Sequence, residues 1–333
     1  MTRRWQIEHE FGLDNLALSE GAPSEPGRGQ IAVRIRACSL NYRDLLVARG
    51  EYDPRMELPF VPLSDGAGEV IAVGRDVEEW AVGDRVIGCF APRWQGGEPT
   101  KEMLRAARGA PPLGGMLRER VVADAEGWVA TPAHMSDEEA ATLPCSTVTA
   151  WNALEGVRAG ETVLVQGTGG VSIAALQLAQ LKGARVIVTS SSAAKRERAE
   201  ELGAWQVIDY VAEPKWGKKV AALGGAHRVI EVGGAETINE SLRAVRVGGE
   251  IGVIGVLSGV KAQIALTKVL MNGVTLRGIM VGSRELFQQM NRAIEAHELR
   301  PVVDRVFDFD DAPEAFSYLT RGAHFGKVCI RLG

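Results

Sequence analysis

The chain has 333 residues, more than one hydrophobic core usually serves, which implies two domains. Hydrophobic residues make up 46% and charged residues 24%, ordinary values for a soluble globular protein that leave no room for a long disordered tract. The net charge of −4 excludes the basic excess expected of a nucleic-acid binder.

The opening segment, "MTRRWQIEHEFG", has two arginines with no apolar run after them, unlike a secretory signal. The longest apolar stretches, such as "IGVIGVL" (251–257), are too short for a membrane span, so a cytoplasmic protein without a membrane partner is expected. Cys38, Cys89, Cys145 and Cys329 are widely spaced with no CxxC pair, which fits reduced thiols and neither a disulfide framework nor a zinc knuckle.

In chain order, "GQIAVRIRACSL" (29–40) alternates as a half-buried strand should. "GAGEVIAVG" (66–74) and "VGDRVIGCF" (82–90) are short apolar runs bounded by glycine, and together these predict an antiparallel, barrel-like unit. The Gly-, Pro- and Arg-rich stretch 91–115 is long for a connection and reads as a lid or ordered surface loop. With Trp94, Met103 and Met116 it would either cover an apolar substrate or serve a dimer contact.

From about 136 the texture changes. "SDEE" (136–139) predicts a capping box, with Ser136 accepting from first-turn amides and Glu139 reaching back. Strands then alternate with helices: 161–166, helix 171–182, 185–190, helix 193–202, 206–209, 227–232, helix 236–244, 249–256, 274–279 and helix 283–297. That rhythm with apolar strands predicts an α/β unit with a parallel sheet covered on both faces. The last 35 residues, ending in "GKVCIRL", carry strand-like segments that return to the first domain in this reading.

"VLVQGTGGVSIAALQLAQLKGA" (163–184) places glycines between a strand and an apolar-periodic helix. Gly167 permits the turn, Gly169 lets backbone approach a pyrophosphate, and the amides of Gly170, Val171 and Ser172 open the helix toward an anion. Ser172 takes the third position of G-x-G-x-x-G; a tight βα turn with no ligand is the plainer alternative. The fingerprint asks for an acid about 20 residues on, to hold a ribose hydroxyl, but "VTSSSAAKRE" (188–197) has serines and a Lys–Arg pair. A carboxylate would repel the 2′-phosphate of NADP, whereas Ser190, Ser191 and Lys195 would bind it, with Arg196 in reserve. The bland alternative is an N-capped, solvated helix.

"GAGEVIAVGRDVEEWAVGDRV" (66–86), "EEAATLPCSTVTAWNAL" (138–154), "VLVQGTGGVSIAALQLA" (163–179) and "SLRAVRVGGEIGVIG" (241–255) together resemble the medium-chain dehydrogenase/reductase superfamily. The likeness is to its zinc-independent, quinone-oxidoreductase-like members, often labelled zinc-type alcohol dehydrogenases. It implies a GroES-like β-rich catalytic domain over 1–130 and 298–333, a Rossmann doubly wound domain over 131–297, and a cofactor cleft between them. The resemblance places NADP(H) at Thr149, Thr168 to Ser172, Ser190, Lys195 and Tyr210. It adds Val232, Ile254, Gly255, Val256, the Met280–Gly282 stretch and Lys327. It also implies a homodimer paired through the Rossmann-sheet edge.

Where the zinc-dependent branch has its ligands, this chain has Asn41, Ser64–Asp65 and Cys145, and the four-cysteine structural lobe is missing. One thiol with an amide and a hydroxyl makes no plausible zinc site, so no metal is expected. The resemblance puts Asn41, Tyr42 and Ser64 on the substrate side, with Asp44 orienting their loop; Tyr42 is either a proton donor or a packed aromatic. The expected reaction is hydride transfer from NADPH to an enone or quinone. A metal-independent alcohol dehydrogenase or carbonyl reductase, or a non-catalytic NADPH-binding protein, are the alternatives.

Overall fold

The computed structural model describes residues 1–333. Seven strands come first: β1 (Thr2–Ile7), β2 (Leu16–Gly21), β3 (Gln30–Leu40), β4 (Asp65–Val73), β5 (Arg85–Gly88), β6 (Arg120–Asp124) and β7 (Trp128–Ala130). Six follow in the middle: β8 (Thr162–Gln166), β9 (Arg185–Thr189), β10 (Gln206–Ile208), β11 (Ala226–Glu231), β12 (Val245–Val253) and β13 (Thr275–Gly278). The last two are β14 (Val303–Asp308) and β15 (Lys327–Arg331).

The chain divides into two compact units, Met1–Val148 with Val281–Gly333, and Thr149–Met280. In the first, β1 and β2 form an antiparallel pair, and a seven-stranded sheet runs in the order β14-β15-β3-β4-β5-β7, with β6 also on β3. The C-terminal segment does return, because β15 pairs antiparallel with β3 through Val328↔Leu40 to Arg331↔Ala37. The core under this sheet holds Ile31, Val33, Ile35, Leu45, Phe316 and Val328, the inward residues of alternating strands and of the helices Tyr42–Ala48 and Ala312–Thr320.

Met116 lies in this core rather than over a substrate. It crosses the bare faces of β4 and β5, where a Cβ on Gly66 would come within 2.8 Å and one on Gly88 within 2.2 Å of its side chain. The 91–115 segment is ordered and packed: Phe90, Ala91, Trp94, Ala107 and Val281 form a small apolar cluster of their own. Only Lys101–Arg105 within it is helical, capped by Thr100.

The second unit has six strands, all parallel, in the order β10-β9-β8-β11-β12-β13. Its central strands are buried along their length, which is why they read as continuous Val/Ile/Leu runs. The helices Gly170–Leu181, Ala193–Glu201 and Ile238–Ala244 fall within about two residues of the expected spans.

The division between units comes later than the change in texture suggests. The helix Asp137–Ala141 has the expected Ser136–Glu139 capping box but belongs to the first unit, where the Ala141 carbonyl accepts from Ser39 Oγ at 2.9 Å. The helix Arg284–Ala296 is there too, since Arg284 Nε donates to the Trp128 carbonyl and Asn291 Nδ2 to that of Ala130.

Candidate active site

In the parallel-sheet unit, the expected dinucleotide residues gather at the C-terminal ends of the strands, where open α/β sheets bind ligands. Strand β8 ends at Gly167, whose φ of +68° is a left-handed conformation that glycine adopts without strain. The helix Gly170–Leu181 starts three residues later with no side chain capping it. Its first-turn amides, Gly170 to Ser172, therefore lack intrahelical partners and are available to an anion. Ser172 is buried and donates to the Gln166 carbonyl at 2.6 Å, so the residue replacing the third glycine ties helix to strand. The fit to a pyrophosphate is good on this geometry.

Beneath the loop, Glu231 is fully buried at the end of β11 and accepts from five donors. These are Gln166 Nε2 at 2.7 Å, Thr237 Oγ1 at 2.6 Å, Ser241 Oγ, and the amides of Gly233 and Gly234, both at 2.9 Å. Gln166 Oε1 in turn accepts from Val232 N and Gly233 N. The ends of β8 and β11 are thus fixed to each other just where the loop begins. Neither Glu231 nor Gln166 stood out in the sequence, because a buried polar pair inside apolar strands has no motif.

Around β12, Ile254 N and Gly255 N both donate to the Glu231 carbonyl. Gly255 is needed for close approach, since a Cβ there would lie 2.3 Å from the Val232 carbonyl oxygen. Val256 and Met280 are exposed at the strand ends, while Thr149 and Thr168 are buried.

At the end of β9, Ser190 is buried and its Oγ accepts from Ser192 N. Ser192 caps the helix Ala193–Glu201 by accepting from Lys195 N. Tyr210 OH donates to Ser191 Oγ at 3.3 Å, which joins two of the expected residues. Arg196 turns inward, donating to the Ser190 carbonyl at 2.8 Å and pairing with Asp209 at 3.0 Å. The carboxylate absent from the end of β9 is therefore found at the end of β10. Asp209 is held below the usual carboxylate range by the amides of Ala212 and Val211 and by Arg196, so its charge is already answered.

In the first unit, a polar cluster forms where β3, β4 and β15 meet. Asn41 precedes the helix Tyr42–Ala48, and Asn41 N donates to Asp44 Oδ2 at 2.8 Å. Asn41 Nδ2 donates to Asp65 Oδ2 at 2.8 Å and to Ser64 Oγ at 3.4 Å. Ser64 Oγ donates to Asp65 Oδ1 at 2.7 Å, and Ser39 Oγ to Asp65 Oδ2 at 3.1 Å. Lys327 Nζ completes the group: it donates to Asn41 Oδ1 at 2.6 Å and to the Leu40 carbonyl at 2.7 Å, and lies 3.5 Å from Asp65 Oδ2. Ser39, Ser64 and Asp65 are fully buried and Lys327 is nearly so.

This arrangement changes how several expected residues work. The Lys327 ammonium, expected at the cofactor, donates two hydrogen bonds to protein acceptors and is ion-paired with Asp65. The single proton of Ser64 goes to Asp65, and both amide protons of Asn41 go to Asp65 and Ser64. Of the three residues expected on the substrate side, only Tyr42 has an uncommitted donor, being 44% exposed with no protein partner for its hydroxyl.

Leu63 precedes the cluster with φ of +71°, a conformation that costs a branched residue on the order of 1 kcal/mol or more and is held here by full burial. The Leu63 carbonyl accepts from Met116 N, and Ser64 N donates to Asp44 Oδ1.

Burial raises the Asp44 carboxyl to about 6, against the opposing pull of Arg43, whose Nη1 is 3.8 Å away. Because the folded value lies above the unfolded 3.8, the folded protein holds the extra proton between those limits. This contribution is therefore intact below about pH 4 and is lost as pH rises through 6, costing about 3 kcal/mol in full. Asp44→Asn cannot ionise, so urea unfolding of the variant at pH 4.5 and 6.5 should lack the wild-type loss over that interval; parallel pH curves would contradict this.

The donor set does not fit a catalytic zinc. Asn41 and Ser64 are neutral, a lysine ammonium already stands against Asp65, Asp44 is taken up by the amides of Asn41 and Ser64, and no three His, Cys, Asp or Glu side chains are placed to hold a metal ion. Cys145 sits in the turn Leu143–Thr147 against Phe90 and Val281, its thiol pushed up by burial, and packs as an apolar residue.

Two family models cover these units: the alcohol dehydrogenase GroES-like domain matches residues 27–133, and the zinc-binding dehydrogenase domain matches 170–296. A zinc-type alcohol dehydrogenase-like protein of Schizosaccharomyces pombe is 40% identical over the whole of both chains. The chain belongs to the medium-chain dehydrogenase/reductase superfamily. Among solved structures of this superfamily, an NAD-dependent alcohol dehydrogenase aligns over 99% of this chain and 100% of its own, with TM-score 0.90 and 32% identity. A mycobacterial protein complexed with NADPH aligns over 99% and 100%, with TM-score 0.83 and 27% identity. The GroES-like unit and the Rossmann unit are those of an oxidoreductase of the superfamily, whose members bind a nicotinamide dinucleotide.

Proposed function

We propose that the protein is an NADPH-dependent, zinc-free reductase of α,β-unsaturated carbonyls or quinones. The observation that carries this reading is the Lys327 ammonium, seated among Asn41, Asp65 and the Leu40 carbonyl at positions the family resemblance assigns to a metal. When bound, NADPH supplies the hydride. Without a Lewis acid, a saturated ketone would build a full alkoxide, whereas a conjugated acceptor spreads the charge onto a distant oxygen that needs only a hydrogen-bond donor. Tyr42 is the residue we assign to that donation, Asn41 and Ser64 serving to hold the loop beneath it. Following NADPH oxidation with 2-cyclohexenone and with cyclohexanone tests the reading. Turnover of the enone alone is expected; turnover of the saturated ketone alone would establish the carbonyl-reductase alternative in its place.

NADPH is favoured over NADH by the hydroxyls of Ser190, Ser191 and Tyr210 and by the neutralisation of Asp209 through Arg196. Lys195→Ala should raise the KM for NADPH roughly tenfold, the worth of one charge-assisted contact, and leave NADH nearly unchanged. Equal effects on both cofactors would remove Lys195 from the 2′-phosphate.

A homodimer is part of the same proposal. The edge strand β13 and the neighbouring helix Leu266–Asn272 expose Leu266, Leu270, Met271 and Leu276, an apolar surface unusual on a monomer. Light scattering that returns a single 35.7 kDa subunit would rule it out.

A further inference from the structure

The catalytic unit has a second cavity, of about 340 Å³, lined by the 92–95 turn, β6 and the segment 108–118. Two arginines face it. Arg108 is 3% exposed; Nε donates to the Cys89 carbonyl at 3.2 Å and the guanidinium lies over the Trp128 ring, but its two terminal nitrogens meet no protein acceptor. The guanidinium of Arg118 has no hydrogen-bond or ion-pair partner at all, and its Nε is shielded from solvent. Arg93 adds a third cation at the rim. The only carboxylates on the wall, Asp124 and Glu126, are exposed, and neither lies within ion-pair distance of Arg108 or Arg118.

Arg108 is buried and Arg118 half-buried, and the shielded Nε of Arg118 has given up water without gaining an acceptor, which is costly for a cation. The ordinary arrangement would pair them with a carboxylate or turn one of them outward. Here both line one hollow, with apolar Leu113 and Val121 on the remaining wall. We propose that this cavity is a binding site for an oxyanion, a phosphate or carboxylate group on a small molecule, gripped by Arg108 and Arg118. Guanidinium forks match such groups bidentately, which is the geometry the vacant terminal nitrogens offer. None of the residues lining it belongs to the Asn41–Asp65–Lys327 cluster: Gln30 on its wall opens β3, while Asn41 follows the far end of that eleven-residue strand, and the nearest approach is the Arg108 carbonyl, which accepts from Arg43.

Isothermal titration of the purified protein at fixed ionic strength tests the proposal with inorganic phosphate in one arm and succinate in the other, chloride serving as the control. Saturable binding of phosphate or succinate is expected, the preferred arm naming the group. Arg118→Gln should weaken binding at least about tenfold. Arg118→Lys should weaken it less, and both variants should keep the wild-type circular dichroism and NADPH affinity. No saturable heat beyond that of chloride in either arm, or equal affinity in wild type and Arg118→Gln, would overturn the proposal. Should Arg118→Gln fail to fold, the same comparison with Arg118→Lys decides it.

Discussion

Lys327→Met is expected to destabilise the catalytic unit by about 3–5 kcal/mol and to lower kcat/KM by about a hundredfold or more. The side chain is buried, and removing its charge leaves Asp65, fully buried, without a cation, while Asn41 Oδ1 and the Leu40 carbonyl lose their donor. Methionine fills similar volume, so the loss comes from charge and hydrogen bonding rather than from a cavity. The Asp65→Asn, Lys327→Met double variant should recover part of the stability, because the orphaned carboxylate is gone. Urea unfolding of the single and double variants, with enone reduction measured alongside, checks this. A Lys327→Met protein as stable and as active as wild type would remove the ammonium from the heart of the site and take the zinc-free reading with it.

Glu231→Ala should cost the Rossmann unit roughly 3–5 kcal/mol, since truncation strands five donors that water reaches poorly. The affinity for NADPH should fall as well. Gln166 would lose the partner that fixes it, and the first turn of the phosphate helix hangs on the Gln166 carbonyl through Ser172. Glu231→Gln should lie between, because an amide keeps one acceptor oxygen and meets Gln166 with a donor of its own. Fluorescence titration with NADPH and urea unfolding distinguish these outcomes. Unchanged unfolding in Glu231→Ala would mean that the surrounding donors find partners elsewhere.

The regular parts of both units were legible because periodicity and turn chemistry act locally. β8 and β9 announce themselves as Val/Ile runs buried on both faces, and Ser136 with Glu139 reads as a helix start that the backbone then follows. The helix Leu266–Asn272 escaped notice because it buries none of its residues, so no apolar stripe marks it. The position of the domain division was hidden for another reason: the helix after Ser136 looks like the start of the βα series but is tied to β3 through Ser39.

At the site, the departures from a metal-binding pattern at Asn41, Ser64 and Cys145 were visible one by one. What they make together was not, because Lys327 reaches Asn41 across 286 positions of chain. Asp209 illustrates the same limit. The chain does supply an acid, but at the end of the next strand, where only the sheet order brings it to Arg196.

The insertion of β15 between β14 and β3 has a consequence for the order of assembly. Asn41, Ser64 and Asp65 leave the ribosome early, yet the cation they surround arrives on β15, after the whole Rossmann unit has been made. During synthesis the Rossmann unit can complete itself while β3 still has an open edge and Asp65 has no counter-charge. The catalytic unit therefore closes last, by a contact of very high sequence separation, and this step should dominate its folding time.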